Sequence, residues 1–241
     1  LGAMATARGE FERAEALLAE CLVRASEILD PRLARIMTSW GLANLAVIAR
    51  TAGNYQLATE RLDLALQDAR AANYTTGTIL VLGDLGDLAR DQGAHSRALR
   101  FYREALALGQ ARPRTRVVAD VMEGIGIVAA ATGEAEPAAR LLGAADMLRE
   151  RMGLRFRVPE NEAALAQAVA ACRASLGNDR FAAAWATGRR QTPTDAVTAA
   201  LAPVTAPDTT GGVSLTPREA EILGLLASGL TDPAIATTLF I

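Results

Sequence analysis

The sequence contains no lysine at all: every one of its 25 basic residues is arginine, set against 27 aspartates and glutamates, for a net charge of −2. A chain balanced in this way has no basic field with which to hold nucleic acid non-specifically. Cysteine is nearly absent. Cys21 and Cys172 lie far apart without metal-type spacing, which excludes a disulfide scaffold or a cysteine zinc site and fits a reducing compartment. Aromatic residues are only 4% of the chain, and strand formers never cluster in alternating runs, so almost no sheet is expected. The most apolar stretch, Ile125 to Ala131, is too short to cross a bilayer, and no signal peptide is evident. A cytoplasmic protein without membrane contact is the expectation.

Alanine is abundant instead. It costs no side-chain entropy in a helix and lets neighbouring backbones approach. The alanines are periodic. Gly9, Gly53, Gly93 and Gly133 are each followed five residues later by Ala14, Ala58, Ala98 and Ala138. The last three glycines are forty residues apart, and the first gap is forty-four. Seven residues before each sits a small residue (Gly2, Ala46, Gly86, Gly126) preceded by an apolar one. A helical hairpin explains the set. The turn glycine takes the positive φ that ends the first helix, here called A. The earlier small residue admits the second helix, B, at close range. The alanine and a bulky residue four later (Leu18, Leu62, Tyr102, Leu142) supply the facing surface.

These residues resemble the tetratricopeptide repeat, over roughly Leu1 to Met152. The period exceeds the usual ~34 residues, so longer helices are expected. A HEAT-like solenoid has a nearer period but lacks the glycine signature, and stands as the alternative fold. The fold class is therefore all-α: a tetratricopeptide-like solenoid over residues 1–152 and a helical capping region over 153–202. Within that region Pro159 opens a helix ending near Leu176, Phe181 and Trp185 mark a short helix, and Thr194 caps another to about Leu201. Residues 203–214 are a proline-, glycine- and threonine-rich linker.

The final segment, residues 215–241, begins Leu215-Thr216-Pro217-Arg218-Glu219-Ala220-Glu221 and continues through Gly229 to Ile235-Ala236 and Leu239-Phe240-Ile241. It resembles the start of the LuxR-type helix-turn-helix domain. Pro233 and Ala234 stand where that family often has a basic residue and a glutamate. The sequence stops before the third helix, the one that reads bases in helix-turn-helix proteins. Thr231 and Asp232, at the cap of the second helix, are the candidate DNA-contacting residues. Leu1-Gly2 falls in register with the middle of an A helix, so the chain is expected to be a piece of a longer protein, cut at both ends. The segments Leu141–Ala145 and Phe181–Gly188 resemble the stretch that precedes this domain in large LuxR-type regulators. The resemblance implies an ATPase module upstream in the parent, DNA as its partner, and a protein or small-molecule effector on the repeats.

The A helices offer a candidate partner or ligand groove: Trp40, Asn44, Val47, Arg50, Asp87, Arg90 and Glu123. Trp40 fits either a ligand site or simple packing between repeats. Asp84, Asp87 and Asp91, spaced by three and four, could ligate a cation or meet Arg90 or Arg97. His95, the only histidine, occupies the turn slot of Tyr55 and Phe11, a packing position. No catalytic set, metal site or cofactor is expected within these residues. The function expected is the sensing and coupling part of a DNA-binding transcriptional regulator. The alternative is a protein-interaction scaffold without DNA binding. Self-association is a further expectation.

Overall fold

The computed structural model describes residues 10–111, 116–153 and 159–201. Thr231 and Asp232 lie outside the described residues. Among those described, there are ten helices and no strand: an all-α solenoid of helical hairpins. In chain order they are α1 (Phe11–Ser26), α2 (Pro31–Thr51), α3 (Tyr55–Ala71), α4 (Thr75–Asp91), α5 (His95–Gly109), α6 (Arg116–Ala131), α7 (Ala135–Arg151), α8 (Pro159–Leu176), α9 (Asn178–Arg190) and α10 (Pro193–Leu201).

Three hairpins, α2/α3, α4/α5 and α6/α7, turn at Gly53, Gly93 and Gly133, whose φ values are 75°, 73° and 89°. Those values lie in the left-handed region, where only glycine escapes a Cβ penalty. The periodic alanines Ala14, Ala58, Ala98 and Ala138 are all fully buried, as are Leu18, Leu62, Tyr102 and Leu142 one turn later. The small residues of the A helices meet these bulky ones directly. A Cβ built on Gly86 would lie 2.3 Å from the Tyr102 ring, and one on Gly126 would lie 2.8 Å from Leu142. Between hairpins the chain uses other turn chemistry. Asn73, at φ 52°, links α3 to α4. Asp30 caps α2 by accepting from the Arg32 and Leu33 amides, with Pro31 in the first helical position.

The A helices α2, α4 and α6 lie side by side, and each B helix packs against its own A helix. Helix α6 is the central helix, with twelve of its residues buried, because α4, α5, α7, α8 and α10 all pack on it. Helices α8 to α10 belong with the repeats to one compact unit. Helix α10 closes the core with Ala196, Val197 and Ala200. Its cap is Thr192, not Thr194. The Thr192 hydroxyl accepts from the Asp195 amide and donates to the Asp195 carboxylate, while Pro193 fills the first helical position and carries Thr194 into the first turn.

The crossing of α7 and α9 is the tightest at any glycine among the described residues. A Cβ on Gly143 would lie 2.4 Å from the Trp185 carbonyl oxygen, and one on Gly188 would lie 1.9 Å from that of Arg140. Backbone meets backbone there, so nothing can swing aside. The two glycine-bearing segments noted in the sequence, Leu141–Ala145 and Phe181–Gly188, are thus the two sides of one helix crossing.

Two substitutions separate crowding from backbone strain. Gly188→Ala is expected to lower unfolding stability by about 3 kcal/mol, the upper end of overpacking costs, because the obstacle is main chain. Gly53→Ala has open space around it and should lose only about 1 kcal/mol from its left-handed φ. Urea unfolding of both variants measures the difference.

Candidate functional site: a buried ion group on the A helices

The A-helix surface carries a charged group well out of water. Arg50 of α2, and Asp87 and Arg90 of α4, are 5%, 9% and 8% exposed. Buried charges of this kind persist only when paired and hydrogen-bonded. The Arg90 Nη1 donates to Asp87 Oδ1 at 3.0 Å, and its Nε and Nη2 both donate to Asp91 Oδ1. The Arg50 Nη1 donates to Asp91 Oδ2 at 2.7 Å, and its Nη2 lies 3.9 Å from Asp87 Oδ2. The Tyr102 hydroxyl, on the fully buried B-helix residue, donates to Asp87 Oδ1 at 2.6 Å.

The remaining member comes from α8. The Asn161 carboxamide oxygen accepts from Arg90 Nη2 at 3.0 Å and from Arg50 Nη2 at 3.3 Å. Its nitrogen donates to Asp87 Oδ2 at 2.8 Å. One neutral side chain thus bridges two cations and an anion.

The group's electrostatics follow from this geometry. Burial raises the Asp87 pKa, but Arg90 and Arg50, with the hydrogen bonds from Tyr102 and Asn161, outweigh it and hold the carboxyl below its usual range. Burial likewise opposes the charge on Arg50, and Asp87 and Asp91 more than offset it, leaving the guanidinium pKa raised. The Tyr102 hydroxyl is pushed well up by burial and by Asp87 beside it, so it remains a donor. Asp84, half-buried one turn before Asp87, is pushed up to about 8 by burial first and then by the Asp87 charge. Asp84 therefore keeps its proton at neutral pH, while Asp87 carries its charge between the two guanidinium groups.

Of the seven groove candidates, the structure brings Arg50, Asp87 and Arg90 together. Trp40 is elsewhere: it packs half-buried against Ala14, Leu18, Leu45 and Ile48, between α1 and α2. Asn44 is half-buried and donates to the Trp40 carbonyl, one turn back on its own helix. Val47 is half-buried and Glu123 is buried on α6. Of the α4 carboxylates, Asp87 and Asp91 meet Arg90 and Arg50, while Arg97 sits over the Phe101 ring. No group of metal-ligating residues forms among the described residues. Asp91 joins the ion group through Arg90, the pairing expected of the α4 face, whereas Asn161 and Tyr102 were missed as members. The pattern Asp87–Arg90–Asp91 signalled a paired face, but nothing in the sequence pointed 71 residues onward to Asn161.

Tetratricopeptide-repeat models match residues 35–111 and 1–32. The hairpins α2/α3 and α4/α5 are tetratricopeptide repeats. Hairpin α6/α7 lies beyond both matches, yet it shares their turn glycine and their buried alanine. Three curated relatives are described as "Putative HTH-type transcriptional regulator", one from Mycobacterium bovis and two from strains of Mycobacterium tuberculosis. Each is 32% identical over 158 residues, covering 64% of this chain and 17% of the relative. The chain thus spans about a sixth of those proteins' length. No solved structure matches it. No helix among the described residues is long and apolar enough to cross a membrane.

The raised Asp84 pKa fixes a pH dependence. An unfolded aspartate loses its proton near 3.8, whereas the folded one keeps it to about 8. The folded state therefore binds more protons between those values, and stability falls as pH rises through that window. Asp84→Asn removes the effect. Its melting temperature should exceed that of the native chain by about 3 °C near pH 8, with the gap closing toward pH 4. Thermal melts across that range measure it. Tyr102→Phe, which strips a hydrogen bond from a buried carboxylate, should cost about 2 kcal/mol in urea unfolding.

Proposed function

We propose that this chain is the sensing and coupling part of a LuxR-type transcriptional regulator, in which the helical repeats receive an effector and the C-terminal segment belongs to the DNA-binding domain. The observation that carries the proposal is the 32% identity over 158 residues to proteins described as helix-turn-helix regulators. The motif from Leu215 to Ile241 agrees with it, since its caps and apolar stripe match the opening of a LuxR-type domain. The tetratricopeptide repeats favour a protein partner on the A-helix surface. No catalytic step or cofactor is assigned to these residues.

The mechanism follows from the division of labour in helix-turn-helix proteins. Phosphate contacts position the domain and the third helix reads bases. A net charge of −2 leaves the present chain without an electrostatic hold on DNA. Its part is to change the state or spacing of the DNA-binding domains when the repeats engage their effector.

A second proposal, a protein-interaction scaffold, draws on the same repeats without DNA binding. Mobility-shift titrations on the whole protein's own promoter separate the two. The whole protein is expected to bind one duplex at about 10⁻⁸ M, weakening steeply with salt, while the Leu1–Ile241 chain shows no sequence-specific binding. Specific binding by the Leu1–Ile241 chain would contradict the division of labour. Absence of specific binding by the whole protein would leave the scaffold.

A further inference from the structure

Helix α8 covers the ion group with its first turn, and it is lightly held there. Among its described side chains the buried ones are Ala168 and Cys172, both small, with Leu165 and Val169 half-buried against Ile127, Leu142 and Trp185. Helix α6 beneath it buries twelve residues, including Val118, Met122 and Ile125. Few buried apolar contacts mark an element that opens locally before the rest unfolds. The first turn also carries a cost in place: Glu160 Oε2 is buried with no hydrogen-bond partner. Against this stand the three hydrogen bonds of Asn161, which reach α2 and α4.

The chemistry of those bonds is selective. Two guanidinium N–H groups converge on one atom of the side chain, and a carboxylate oxygen faces the other. A primary carboxamide supplies that acceptor and donor in one plane. A carboxylate in its place would set a second anion against Asp87. An ammonium would face Arg50 and Arg90. The two arginines already have counter-charges in Asp87 and Asp91, so an added charge of either sign is unbalanced.

We propose that Arg50, Asp87 and Arg90 form a carboxamide-binding site, filled at rest by the chain's own Asn161, and that α8 is an exchangeable latch. When α8 lifts, the site is free for an asparagine or glutamine side chain presented by a partner segment. The site would then report partner engagement as release of α8, which packs on α7 and α9 at its other end. This inference does not depend on DNA binding and survives its failure.

Hydrogen exchange on the full chain, read by mass spectrometry, tests it with Asn161→Ala. Losing hydrogen bonds to charged partners should speed exchange of the α8 amides about tenfold or more, with α2 to α5 changed by less than about twofold. In the native chain, acetamide at high concentration should compete with the Asn161 carboxamide and speed exchange of the α8 amides without speeding that of α2 to α5, and acetate, its charged counterpart, should not. Asn161→Asp should release α8 at neutral pH at least as far as Asn161→Ala. The proposal is overturned if Asn161→Ala leaves α8 exchange unchanged, or if it accelerates α2 to α5 equally, which would make the group a structural element of the whole stack. It is also overturned if acetamide leaves α8 exchange of the native chain unchanged, or if acetate speeds it as well.

Discussion

Burying two guanidinium groups commits every element that surrounds them. An ion removed from water costs several kcal/mol even after relaxation, and a partner lost leaves that cost uncompensated. Arg50 and Arg90 meet it through Asp87 and Asp91, and Asp87 in turn draws on Tyr102 and Asn161. Helices α2, α4, α5 and α8 are therefore held to one mutual arrangement by a group that contributes little apolar burial. The tetratricopeptide hairpins make this arrangement attainable. Glycine at position 86 lets Tyr102 lie close against α4, where its hydroxyl reaches Asp87 one residue further on.

The hairpin architecture was legible in the sequence because its determinants are local and periodic. A turn glycine, a small residue seven before it and an alanine five after it recur with the same spacing, and the structure gives each a steric duty. The α10 cap was misplaced by two residues because Thr192 and Thr194 are both competent caps and the choice rests with Pro193, whose ring belongs in the first turn. The α7–α9 crossing left its mark as two glycine-bearing segments, but their pairing is a tertiary fact. Asn73 hid a turn because asparagine tolerates the left-handed region less conspicuously than glycine signals it.

The candidate site was half legible. Arg50, Asp87 and Arg90 emerged from the repeat register, since polar residues on an A helix at positions facing away from the B helix stand out against an apolar background. Asn161 did not, because a lone asparagine in the first turn of a later helix reads as a solvated residue. Trp40 drew attention as a large aromatic on the same helix face, but its ring lies against α1 and serves the first interface. The likeness to helix-turn-helix regulators covers only about a sixth of their length. The structure places the charged centre of the repeat surface in contact with α8, the first helix after the three hairpins.

One contact across 74 residues of sequence, between Asn161 and Asp87, ties α8 to the ion group. A double-mutant cycle in urea unfolding, combining Asn161→Ala with Asp87→Asn, measures it directly. A coupling energy of about 1 kcal/mol or more is predicted, as for residues within one hydrogen-bond network. Additive effects, agreeing within about 0.3 kcal/mol, would mean that α8 and the ion group act independently and would contradict the account.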